Sequence, residues 1–145
     1  MGQQQVLLIV LSVILVGIAI SVGFSMFSSY SYTANQDAIV LDIINLSMAA
    51  YQHKFKPLSM GGGAGTFKNF EVPSGMSENA NASYNTVISE DEREITIIAL
   101  SKSYDGAMIT VTYDLDLNMI TQEEHEGGVA GNLKNGYLFQ GWKDD

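Results

Sequence analysis

The chain has 145 residues, a formal net charge of −9 and no cysteine. Its length suits one modest domain with an appendage, its acidity sets nucleic-acid binding aside, and the lack of thiols excludes disulfides, thiolate zinc sites and thioether-linked haem. No Asp, Glu, Lys or Arg occurs before Asp37, so the two ends of the chain suit different surroundings.

Residues Val6 to Phe27 form an uninterrupted apolar run. As a helix it spans roughly 33 Å, about one hydrocarbon thickness. A cleaved signal peptide would have a basic flank, a shorter apolar core and an A-x-A-like exit. The flank Met1-Gly2-Gln3-Gln4-Gln5 and the run that follows have none of these, so the segment is expected to be kept. With an acidic domain after the run, the expected orientation is N-terminus inside and domain outside. The residues expected to pack in lipid or against other helices are Val6, Leu7, Leu8, Ile9, Leu11, Ile14, Leu15, Gly17, Ile18, Ala19, Ile20, Gly23, Phe24 and Phe27. Ala19 and Gly23 form a small-xxx-small pair, as do Ser21 and Ser25, and such pairs let helices approach closely. They are also common in any membrane helix.

A Ser/Tyr-rich step, Ser28-Ser29-Tyr30-Ser31-Tyr32, leads into a second helical pattern. Ala38, Ile39, Val40, Leu41, Ile43, Ile44, Leu46, Met48, Ala49, Ala50, Tyr51 and Phe55 give a broad apolar face, with Asp37, Asp42, Asn45 and Gln52 as polar positions. No proline occurs before Pro57, so one continuous helix from about Val6 to Phe55 is expected. Its outer half should lie on its own domain, and its apolar half should protrude without one.

Met60-Gly61-Gly62-Gly63-Ala64-Gly65 follows Pro57. It lacks the Gly-Lys-Ser/Thr ending and the preceding strand of a phosphate-binding loop, and reads as a flexible turn. Strands are expected at Tyr84 to Ser89, Glu94 to Ser101 and Met108 to Met119. The last alternates, with Ile109, Val111, Tyr113, Leu115, Leu117 and Met119 on one face and Thr110, Thr112, Asp114, Asp116 and Asn118 on the other. Asp105-Gly106 is a hairpin signal, and Tyr137 to Phe139 reads as an edge strand. The fold class expected is α+β, a small antiparallel sheet covered by the helix from Ala38 to Phe55.

Little points to chemistry. Asp114-Leu-Asp116-Leu-Asn118 begins like a calcium loop, but Met119 and His125 stand where Gly and Glu are required. The polar face of a strand is the simpler reading. Glu123-Glu124-His125-Glu126 reads as a solvated loop, because four consecutive residues rarely converge on one ion. No nucleophile motif is present, so neither catalysis nor a cofactor or metal is expected. Asn45-Leu46-Ser47 and Asn81-Ala82-Ser83 fit the glycosylation pattern, and Asn81, in a polar loop, is the more accessible. Tyr30, Tyr32, Tyr51 and Trp142 fit interfacial and core packing.

A charge-free apolar helix, an amphipathic continuation, a Gly-rich loop and a small antiparallel sheet together resemble type IV pilins and related pilin-like filament subunits. In that family the apolar helices bundle in the filament core and the sheets form the outer wall. The resemblance divides the chain into a membrane or core helix (1–27), an amphipathic extension (28–57) and a β-domain (58–145). Gly2-Gln3 is similar to the Gly-Gln junction of archaeal-type pilin leaders, without their basic residues. The family's glutamate ahead of the apolar run is absent, which leaves Gln3, Gln4 and Gln5 as neutral assembly contacts. The missing helix-breaking proline leaves Gly17 and Gly23 for local unwinding. The resemblance implies a structural subunit of an extracellular filament, inserted in the cytoplasmic membrane before assembly. Its partners would be copies of itself and the membrane's assembly machinery. A minor pseudopilin of a secretion or DNA-uptake machine and a single-pass anchored binding domain are the alternatives.

Overall fold

The computed structural model describes residues 2–104 and 106–125. It contains one long helix and a four-stranded sheet: α1 (Gly2–Phe55), β1 (Ala82–Ile88), β2 (Ile95–Ser101), β3 (Met108–Tyr113) and β4 (Met119–His125). The chain divides into two units, Met1–Ala34 and Asn35–Asp145.

Helix α1 runs unbroken through Gly17 and Gly23 in the single chain. It stops where Pro57 forces extended backbone on the residue before it. His53 and Lys54 in the last turn suit the negative end of the helix dipole. The Gly-rich segment then folds back as the helix cap. Gly63 N–H donates to His53 O at 3.0 Å, Gly65 N–H to Lys54 O at 2.8 Å and Ala64 N–H to Lys56 O at 3.0 Å. These bonds satisfy carbonyls that a helix end leaves open. The flexible turn expected from the sequence is thus a fitted cap. Its amides face carbonyls, so they are not offered to an anion.

The sheet is an antiparallel meander in the order β1-β2-β3-β4. In unit Asn35–Asp145 the helix packs on one sheet face. Ile39, Ile43, Leu46 and Ala50 recur every three or four residues and are buried, with Ser47 beside them. They meet Ala82, Tyr84, Ile95, Ile97, Ala99, Ile109, Val111 and Tyr113 in one core. Phe67 and Phe70 from the loop before β1 complete it. The other sheet face is not a purely polar one either, since Ile98, Met108 and Thr110 are buried there.

Several expectations need correction. The strand expected over Met108 to Met119 ends at Tyr113, and Asp114 to Asn118 form a turn into β4. Asp114 causes the break. Its Oδ1 accepts the backbone N–H groups of Asp116 and Asn118, at 2.9 and 2.8 Å, and its Oδ2 accepts the Asn118 side-chain amide at 2.9 Å. This is an Asx-type turn, in which a side chain replaces ladder bonds. Leu117 adopts the left-handed conformation there, at φ 58°. The loop expected at Glu123-Glu124-His125-Glu126 is the end of β4 as far as His125. Asp105, Glu126, Trp142 and the edge strand expected at Tyr137 to Phe139 lie outside the described residues, whereas Gly106 occupies a turn with φ 78° between β2 and β3.

Candidate functional site

Every residue from Gly2 to Ala34 is solvent-exposed except Tyr32, which is half-buried. The exposed set includes Gln3, Gln4 and Gln5 in the first turns and all the large apolar side chains from Val6 to Phe27. Nothing lies within 4 Å of a Cβ placed on Gly2, Gly17 or Gly23. Ser12 donates its hydroxyl to Ile9 O at 2.8 Å, so its polarity is absorbed by its own helix. By length and composition this stretch can cross a membrane. A soluble monomer seldom exposes so much contiguous apolar surface.

A second apolar surface lies within the unit Asn35–Asp145. The broad face expected from Ala38 to Phe55 is two stripes. One is the buried stripe above. The other holds Leu41, Ile44, Met48, Tyr51 and Phe55, whose spacings of three, four, three and four are those of a coiled-coil seam. Leu41, Ile44, Met48 and Phe55 are 62%, 41%, 56% and 65% exposed, so they face away from the sheet. The neutral Asn45 and Gln52 flank them on the helix.

The charged residues nearby are committed to the domain. Asp42 accepts the Tyr84 hydroxyl at 2.6 Å and the Asn79 amide at 2.7 Å. Burial, together with that bond to Asp42, holds the Tyr84 hydroxyl well above its ordinary value of 10.0. Burial also raises the Tyr113 hydroxyl. Lys54 Nζ donates to Leu115 O at 2.6 Å and lies 3.6 Å from Asp116 Oδ1. It also sits 5.3 Å from the ring centroids of Tyr51 and Phe55, which meet edge-on at 4.8 Å. The turn that begins like a calcium loop is thus supplied with a positive charge by the helix. Bonds from Asn118 and Asp116, with Lys54 adding attraction, keep Asp114 below its ordinary 3.8.

Other sequence-level candidates fare unequally. Asn81 is half-buried just before β1, and the next residue, Ala82, is fully buried. Asn45 is exposed, but Leu46 and Ser47 are buried on a regular helix, which keeps that segment from the extended form a modifying enzyme reads. Glu123 and Glu124 are consecutive on β4 and so point to opposite faces. Among the described residues no three metal-ligating side chains are gathered together.

The sequence pattern located the apolar helix but missed the outward stripe as a separate surface. Its seam spacing was the available signal. It is obscured because the core stripe interleaves with it. No protein-family model matches the chain, no curated protein matches it, and no solved structure matches it.

Proposed function

We propose that the chain is a structural subunit of an extracellular pilus-like filament that polymerises through α1. The observation that carries this reading is the exposed, charge-free helix surface from Gly2 to Ala34. Such a surface needs cover from lipid or from other apolar helices. In this reading the bilayer covers it before assembly and neighbouring copies cover it afterwards. The small pairs Ala19/Gly23 and Ser21/Ser25 support close helix approach, and Gln3, Gln4 and Gln5 offer neutral hydrogen-bonding contacts at the start of the helix. The acidic sheet domain would face solvent, where its charge favours solubility. Assembly machinery in the membrane would be a second partner.

The test is electron microscopy of surface filaments, with mass spectrometry of their subunits. Filaments built of this chain are expected. A chain recovered only as dispersed membrane monomers refutes the proposal and favours a single-pass anchored binding domain.

A further inference from the structure

The sheet has a second face, turned away from α1. Side chains alternate across a strand, so Ile98, Met108 and Thr110 point opposite to Ile97, Ile109 and Val111, which meet the helix. Ile98 and Met108 are each 5% exposed and Thr110 is 8% exposed. On the same face, Val87 of β1 is 40% exposed, and Glu123 of β4, opposite Thr110, is exposed as well. The flanking strands are thus bare and the middle of the face is shielded. We propose that residues 126–145 fold back across this face in the same chain and seal it over β2 and β3. This goes beyond the filament reading and holds whether or not the chain polymerises.

The cover is not accounted for among the described residues outside the sheet. Helix α1 packs on the opposite face, and Phe67, Phe70, Val72, Met76, Leu115 and Leu117 join the core on that helix side. Leu58 and Met60 are exposed.

Position and composition identify the occupant. Strand β4 ends at His125, which pairs with Met108 across the β3–β4 ladder. The segment therefore starts one strand, about 4.8 Å, from the shielded stripe. Gly127-Gly128 follow, and glycine lets the backbone reverse. Residues 135–142 then read NGYLFQGW, without charge and with Tyr137, Leu138, Phe139 and Trp142 as large apolar side chains. Extended, they reach roughly 26 Å, enough to cross several strands spaced about 4.8 Å apart. Leaving such a run in water is unfavourable, and Ile98 and Met108 offer it an apolar bed. Thr96 and Thr112, whose hydroxyls meet at 3.0 Å on the same face, give polar partners to a tyrosine or tryptophan at the rim. A strand added at a sheet edge would leave the face open, so the run crosses the sheet rather than extending it.

Methionine oxidation reads this face directly, because reaction with peroxide follows exposure. The full chain in detergent would be treated with hydrogen peroxide and each methionine followed by mass spectrometry. Exposed Met60 and Met119 are the fast references, and Met76, packed on the helix-side core, reports whether the fold survives. Met108 is expected to react about tenfold more slowly than Met119. Leu138→Ser with Phe139→Ser and Trp142→Ser should bring Met108 close to the Met119 rate and leave Met76 unchanged. Met108 reacting as fast as Met119 in the unaltered chain overturns the proposal. So does a Met108 that stays slow in the triple variant while Met76 is unchanged. Paired cysteines decide the matter even if that variant unfolds, since the chain has no cysteine of its own. Met108→Cys would be combined with Leu133→Cys, Leu138→Cys or Trp142→Cys in turn and oxidised at several dilutions. A disulfide within one chain, unaffected by dilution, is expected from at least one pair, because the bond needs Cβ atoms about 4 Å apart. Cross-links only between chains put a second copy's segment on the face and overturn the assignment, and no disulfide from any pair overturns it too.

Discussion

The cap built by Gly62 and Gly63 makes a sharp prediction about single methyl groups. A Cβ on Gly63 would lie 1.9 Å from Thr66 O and 2.9 Å from Thr66 C, and one on Gly62 would lie 2.1 Å from Lys56 Cβ and 2.2 Å from Lys56 O. Most of these neighbours are backbone atoms, so the loop itself has to move. In Gly63→Ala that movement breaks the bonds from Gly63, Ala64 and Gly65 to the helix end. At about 1 kcal/mol each, the loss is about 3 kcal/mol. For a domain of this size that corresponds to a fall in Tm of roughly 15 °C. Two controls separate crowding from other glycine effects. Gly61→Ala meets nothing within 4 Å but has φ 73°, so it should cost about 1 kcal/mol. Gly75→Ala meets nothing and has no positive φ, so it should be near neutral. Near-ultraviolet circular dichroism of the detergent-solubilised full chain follows the tyrosines of the sheet domain during melting. Hydrogen exchange over residues 53–65 reads the cap directly. Gly63→Ala melting with Gly75→Ala, at unchanged cap protection, would refute the reasoning.

Three further outcomes are expected. Leu46→Ala should lower the stability of the dispersed chain by about 3 kcal/mol, because Leu46 is almost fully buried, whereas Leu41→Ala on the outward stripe should be near neutral in urea melts. The Tyr84 and Tyr113 hydroxyls are raised in the fold, so their contribution is complete below the unfolded tyrosine value and is lost as pH rises from about 10. Alkaline melting should steepen there, and Tyr84→Phe should flatten it while removing the bond to Asp42. Gly17→Glu meets no neighbour in the single chain, so the sheet domain should melt normally, but filaments should be absent because a buried unpaired charge is costly. A normal filament yield from that variant contradicts the proposed function.

Much of this fold was legible because its strongest signals are long or local. An apolar run without proline, followed by a helical repeat up to Pro57, specifies α1 within a few residues. The β-branched run Glu94 to Ser101 and the alternation after Met108 specify β2 and the start of β3. The end of β3 was not legible, since Leu115 and Leu117 continue the alternation while Asp114 redirects the backbone through its own side chain. Strand β4 was hidden for the opposite reason. Its side chains from Met119 to Glu124 are all exposed, so no buried face imposes a period of two. Phe67 and Phe70 reach the core from a loop, where burial follows tertiary geometry rather than periodicity. The exposed helix surface from Gly2 to Ala34 was legible in composition. The outward stripe was not, because two interleaved apolar sets read as one wide face until the sheet selects between them.

That double-sided helix has a further consequence. Apolar area alone does not decide which way the segment from Ile39 to Phe55 is turned, since either stripe could be presented to a sheet. Polar latches remove the ambiguity. Asp42 with Tyr84 and Asn79, Lys54 with Leu115, and Asn35 with the Ser101 hydroxyl at 2.9 Å each fit only one rotation of the helix about its axis. Their net contribution to stability is modest. Their effect is on uniqueness, as they discriminate between two rotational settings that hydrophobic burial leaves nearly degenerate.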